Sequence, residues 1–260
     1  MKRAVFTLLF IAILSLPIFA AGEREAETPS GPSLVAATTW TEAFLRAAGV
    51  EGPIQTLAPA DYRHPPEYEL APSQALLLSR ADYFIFAGYE GISMRIKDGS
   101  LKTGGRQIQI ATVNSLEVFR ESITKLAQEF GTQEQAEKNL LALENQVAGI
   151  REEIRAAGFF GAPVVCHAFL KDMVQDFGFT VAGVFGPAPP EAGQLVKLAE
   201  SRPVLIIDNW HNDVGQTVTR TLKDVPSVSF INFPGHGETE TLADVLEYNR
   251  QQLLEVLKKR

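Results

Sequence analysis

From Ser33 onward, short runs of β-branched or apolar residues alternate with amphipathic stretches, the arrangement that yields parallel strands joined by crossover helices. Strands are predicted at Leu34 to Thr38, Ile54 to Leu57, Tyr83 to Ala87 and Ile108 to Thr112 in the first half. In the second half they fall at Pro163 to His167, Thr180 to Phe185, Val204 to Asp208 and Ser227 to Ile231. Between the two sets, Ala136, Leu140, Leu143, Val147, Ile150 and Ile154 recur at intervals of three or four, which puts them on one face of a helix predicted over 133–157. Thr132 with Gln135 reads as a capping box at its start, and Gly158 is a suitable stop. The fold class is α/β: two lobes, each with a central, mostly parallel sheet flanked by helices, joined by a long backbone helix. The predicted parts are a lobe at 33–130, the linking helix at 131–158 and a second lobe at 159–260. No internal repeat interrupts this order.

The first residues differ in kind. Lys2 and Arg3 are basic, Ala4 to Leu14 is apolar except for Thr7, Pro17 breaks the run, and small residues follow at Ala20, Ala21 and Gly22. This is the pattern of a cleaved secretory signal over 1–21, and the apolar run is shorter than the ~20 residues that span a bilayer. Residues 22–32 read as a flexible leader. Export to an envelope space such as the periplasm is the expectation.

Charge and cysteine usage narrow the function classes. The chain of 260 residues has a net charge of −7, and losing Lys2 and Arg3 with a signal segment over 1–21 that holds no acid lowers this to −9. Nucleic-acid binding, which needs clustered positive charge against phosphates, is excluded. The single Cys166 cannot form an internal disulfide, a zinc ribbon or an iron–sulfur site; it could be a nucleophile beside His167, but adjacent strand residues point to opposite faces and should diverge, so it reads as a core residue. There is no GxGxxG after a strand, no GxxxxGK[ST] and no GxSxG, so nucleotide and serine-hydrolase chemistry lack their positioning loops.

What remains is imidazole. His64, His167, His211 and His236 all lie at or beyond the carboxyl end of a predicted strand, where open α/β sheets bind ligands. Imidazoles suit zinc, copper, nickel and iron, and three or four make a zinc site without thiolate. None of the spacings is a compact motif, so only their shared placement speaks. Asp208 is open to a role as ligand or base near His211, whereas Asp213 reads as a cap for the next helix.

His64, the segment PSQALLLSRADYFIFAGYE, VVCHAF and the terminal TLADVLEYN together resemble the zinc/manganese receptors of bacterial ABC transporters, the cluster A-I solute-binding proteins. The matching features are Tyr68, Glu69, Pro72 and Ser73 before a helix, an Ala-Asp-hydrophobic strand from Ala81 to Gly88, an apolar strand ending in His167, and the Tyr248-Asn249 pair of the last helix. The resemblance carries over a metal ligand directly only at His167. Pro66 stands where a first histidine is usual, Thr112 and Asn114 occupy the region of a second, and the final loop offers His236 and Glu238 in place of an aspartate. His64, His211 and His236 are expected to refill these positions.

The resulting expectation is a periplasmic, monomeric, non-enzymatic receptor that carries Zn2+, with Mn2+ second because it prefers oxygen ligands, to an ABC transporter permease. Two alternatives stand beside it. One is a receptor for a metal chelate such as a cobalamin or siderophore, with Trp40, Trp210 and Tyr89 lining the cleft; the other is a zinc hydrolase, which needs an open coordination position and a base such as Asp208 or Glu238.

Overall fold

The computed structural model describes residues 31–60, 62–63, 67–91, 93, 96 and 100–258. The expected signal over 1–21 and most of the expected leader lie outside the described residues. Among the described residues, eight strands form two four-stranded sheets: β1 (Leu34–Ala36), β2 (Ile54–Thr56), β3 (Tyr83–Phe86) and β4 (Arg106–Gln109) in the order β2-β1-β3-β4, and β5 (Pro163–His167), β6 (Thr180–Phe185), β7 (Leu205–Asn209) and β8 (Ser227–Phe230) in the order β6-β5-β7-β8. Every pairing is parallel. The two sheets repeat one winding, in which the chain starts at a central strand, steps to one edge, and returns to the other side.

Alternation along the strands sorts the core into layers. Leu34 and Ala36 of β1, and Val164 and Cys166 of β5, face one large cluster that runs through both halves. Their neighbours Val35 and Val165 point the other way into two smaller clusters, one on the far face of each sheet. The shared cluster is filled by helices α1 (Thr39–Ala47), α3 (Leu116–Phe130), α4 (Gln133–Ala156), α5 (Lys171–Asp176) and α8 (Leu242–Leu257). Shorter helices α2 (Pro72–Leu78), α6 (Ala192–Glu200) and α7 (Gln216–Thr221) complete the crossovers.

Helix α4 buries the six residues that the sequence pattern put on one face. Apart from Ala136, each such side chain is worth roughly 1.5–3 kcal/mol on burial. By contrast, the paired bonds from Arg250 of α8 to Glu153 of α4, at 2.7 and 2.6 Å, join partly exposed groups worth about 1 kcal/mol or less. Packing, not the ion pair, fixes the helix.

Three local expectations are corrected. Thr132 makes no side-chain cap to α4; its hydroxyl donates to the Ala48 carbonyl at 2.6 Å, and Gln135 turns to Asn139. Strand β4 starts two residues early at Arg106, because pairing with Tyr83 of β3 sets its register. Helix α7 begins at Gln216 without a side-chain cap from Asp213. The turn before it is held instead by Asp208, whose carboxylate accepts from the backbone N–H of Asn209 at 2.8 Å and of Gly215 at 3.0 Å.

Candidate functional site

The carboxyl ends of both sheets open on one cavity of about 480 Å³. The first sheet contributes Trp40 at the start of α1, Tyr89 after β3, and Thr112 and Val113 after β4. The second contributes Phe169 after β5, Pro187 after β6, Asn209, His211 and Asn212 at the end of β7, and Asn232 and Phe233 after β8. Arg63 and Asp172 add charges of opposite sign to the lining. This is the crevice where strand topology of this kind places a ligand.

Several bonds tie the halves together around it. Asn114 donates to the Asn232 carbonyl at 2.6 Å, Thr39 donates to the Pro234 carbonyl at 2.7 Å, and Arg63 donates to the Trp210 carbonyl. At Gly235 the backbone has φ +123°, and a Cβ there would stand 2.1 Å from the Ala60 oxygen. Only glycine lets the loop after β8 come this close to the first half.

The histidines occupy different settings. His167 is fully buried at the end of β5. Its Nδ1 accepts from the Phe169 N–H at 3.2 Å, so Nε2 carries the proton and donates to Asn212 Oδ1 at 2.8 Å. Burial holds its pKa below the usual histidine value, with the Asn212 bond acting in the other direction. The imidazole therefore stays neutral, the form a metal needs. It sits one contact behind the cavity, since Asn212 is part of the lining.

His211 lines the cavity itself. Its ring stacks on Phe233 with centroids 3.5 Å apart, and its Nδ1 accepts from the Asn232 N–H at 3.4 Å. His236 stacks on the Trp210 ring at 3.8 Å, while the Arg63 guanidinium lies 4.1 Å from the same ring. Burial and then the Arg63 charge push the His236 pKa down. His64 lies outside the described residues. Among the described residues, no group of three or more His, Cys, Asp or Glu could hold a metal ion.

The remaining reactive groups are occupied. Burial pushes the Asp208 carboxyl up to about 6, with the neighbouring Asp213 carboxyl adding to the rise and the backbone bonds from Asn209 and Gly215 opposing it. Those two N–H donors commit Asp208 to the β7–α7 turn. Burial pushes the Cys166 thiol up to about 12, and its side chain packs in the shared core. Tyr89 is held above the usual phenol range, chiefly by burial.

Reasoning from histidines alone misses the amides. Asn209, Asn212 and Asn232 all reach the cavity, each at or just beyond a strand end. The rule that drew attention to imidazoles at the carboxyl ends would have found these residues too, had it been applied to every polar side chain.

No protein-family model matches the sequence, and no curated protein matches it either. Solved structures do share the fold. The Mn-bound periplasmic metal binding protein from Candidatus Liberibacter asiaticus superposes with a TM-score of 0.66 at 14% identity, over 87% of this chain and 100% of that one. The laminin-binding protein Lbp of Streptococcus pyogenes gives 0.68 at 13% identity, over 87% and 99%. The laminin-binding protein Lmb of Streptococcus agalactiae, described as a bifunctional protein with adhesin and metal transporting activity, gives 0.65 at 13%, over 87% and 100%. At these identities the likeness establishes the fold.

Proposed function

We propose that this chain is a periplasmic receptor of the cluster A-I kind that captures a divalent transition metal in the cleft between its halves and delivers it to an ABC transporter permease. The observation that carries the reading is the cavity at the carboxyl ends of both sheets, with His211 in its wall and His167 behind Asn212. Similar structures described as periplasmic metal binding proteins support it. Zinc ranks ahead of manganese because the candidate ligands His64, His167, His211 and His236 are imidazoles. The halves at 33–130 and 159–260 share the core around α4, so loading requires adjustment of cleft side chains rather than a wide swing of one lobe. Asn212 must release His167 Nε2 if that nitrogen is to reach the cargo. We read the protein as a carrier and not as a hydrolase, since Asp208, a base candidate, is bound to backbone N–H groups.

Elemental analysis of the protein purified without added chelator tests this, alongside His211→Ala and His167→Ala whose folding is checked by circular dichroism. The expected result is stoichiometric zinc in the parent chain and its loss in His211→Ala. Unchanged metal content in both folded variants, or no transition metal in the parent even after zinc is supplied, would overturn the proposal.

A further inference from the structure

The two histidines that follow β5 and β7 differ in what a metal would have to undo. His167 is 0% exposed, and both of its ring nitrogens are engaged: Nδ1 accepts from the Phe169 N–H at 3.2 Å, and Nε2 donates to Asn212 Oδ1 at 2.8 Å. Through the first of these bonds the ring caps the short 3₁₀ turn Ala168–Leu170. Phe169 and Phe185 pack against it with centroids 5.0 and 5.9 Å away, and a Cβ on Gly186 would stand 2.4 Å from Nε2. The ring is closed in on the side of the nitrogen that a metal would need.

Coordination requires a bare nitrogen, with zinc about 2.0–2.1 Å from it. A neutral imidazole carries one proton, so baring Nε2 moves that proton to Nδ1, where it meets the Phe169 N–H head on. The change gives up both bonds and leaves the Phe169 N–H without its acceptor. His211 is held less firmly. It lines the cavity, and its Nδ1 bond to the Asn232 N–H is 3.4 Å long, at the weak end of hydrogen-bond geometry.

Asn212 is the residue through which His167 reaches the cleft. His167 fixes Oδ1 of the amide, which leaves the two N–H groups of Nδ2 for the cavity that Asn212 lines. Nδ2 is not among the buried side-chain atoms that lack a partner, so it is open to solvent or cargo. Resting on the reading of this cleft as a transition-metal site, we propose that His167 is a positioning residue and not a ligand: its Nε2–H sets the Asn212 amide, whose N–H groups donate to an oxygen bound to the captured metal. Outer partners of this kind hold a coordination sphere in place without touching the ion. The metal is coordinated on the cavity side, where His211 stands.

Long-range 1H–15N correlation spectra of the 15N-labelled full chain, metal-free and with equimolar zinc chloride, test the inference, with imidazole signals assigned from His167→Gln and His211→Ala. His167 is expected to keep a protonated Nε2 and a bare Nδ1 in both spectra, while the metal-bound shift appears on another histidine. In competition against a chromophoric zinc chelator, His167→Leu is expected to weaken zinc binding about tenfold, as loss of an outer partner does. His167→Gln, whose amide N–H can still donate to Asn212, is expected to recover most of that loss, whereas a ligand role predicts no recovery. If zinc moves the His167 Nε2 signal to the metal-bound position, or if His167→Gln binds zinc as weakly as His167→Leu, the inference falls and the metal-receptor reading stands. If zinc shifts no imidazole signal, both fall.

Discussion

Asn249 of α8 offers the sharpest test of how the last helix builds the cleft. Fully buried, it accepts from the Ile231 N–H at 2.8 Å and donates to the Ile231 carbonyl at 2.8 Å, with Met173 Sδ 3.5 Å from the same amide nitrogen. It thus acts as one residue of a further strand, holding the chain where it leaves β8 and turns into Asn232 and Phe233. Asn249→Leu leaves both backbone groups of Ile231 buried and unpaired, at about 1–3 kcal/mol each, or roughly 2–6 kcal/mol together. For a domain of this size that corresponds to a fall of roughly 5–15 °C in thermal midpoint. Differential scanning calorimetry with urea titration reads the loss directly. Asn249→Asp adds a pH signature. Its carboxylate would accept from Ile231 N–H but oppose the Ile231 carbonyl, whereas the protonated acid can donate to it. Burial raises the folded pKa of that acid above its unfolded value, so the variant should gain stability as pH falls from about 8 to 5. An Asn249→Leu protein within about 2 °C of the parent, or an Asn249→Asp protein with the parent's pH profile, would refute the reasoning.

Three further outcomes are expected. The Cys166 thiol should react with Ellman's reagent only at the rate of unfolding, since it is buried and pushed up to about 12; fast labelling of the native chain would contradict its core placement. Gly186→Ala should cost roughly 1–3 kcal/mol, because a Cβ there would lie 2.4 Å from His167 Nε2 on backbone with φ +82°, and an unchanged urea midpoint would count against this contact. His167 has a folded pKa below its unfolded value of about 6.5, so its contribution is complete above that pH and declines as pH falls below it, when the unfolded chain takes up a proton first. His167→Gln should flatten the stability profile between about pH 6.5 and 5, as measured by chemical denaturation at several pH values.

The fold was largely legible because strand and helix periods are strong signals. The apolar face of α4 in the structure comprises the residues whose spacing predicted it, and Cys166 and His167 diverge as neighbours on a strand must. Errors arose where one residue had two physical options. Thr132 could cap α4 or bond the Ala48 carbonyl, and tertiary approach decided for the latter. Asp208 and Asp213 lie on either side of the β7 exit, and the buried one secured the backbone donors. Strand β4 pairs through Arg106 and Gln107, polar positions that an apolar-run criterion passes over. The cleft was legible only in outline. His167 and His211 come to one region because both follow strands of the same sheet, but the amide set of Asn209, Asn212 and Asn232 has no spacing motif and emerges only when β7 and β8 lie side by side. The ring of His236 stacks on Trp210 and lies edge-on to Tyr248 at 5.6 Å.

Crystals grown with zinc, measured on both sides of the zinc absorption edge, would locate the cargo without assumption about its ligands. The account predicts one strong anomalous peak inside the cavity bounded by Trp40, His211 and Asn232. A peak confined to the outer surface, or an unoccupied cleft in crystals that hold zinc elsewhere, would contradict it.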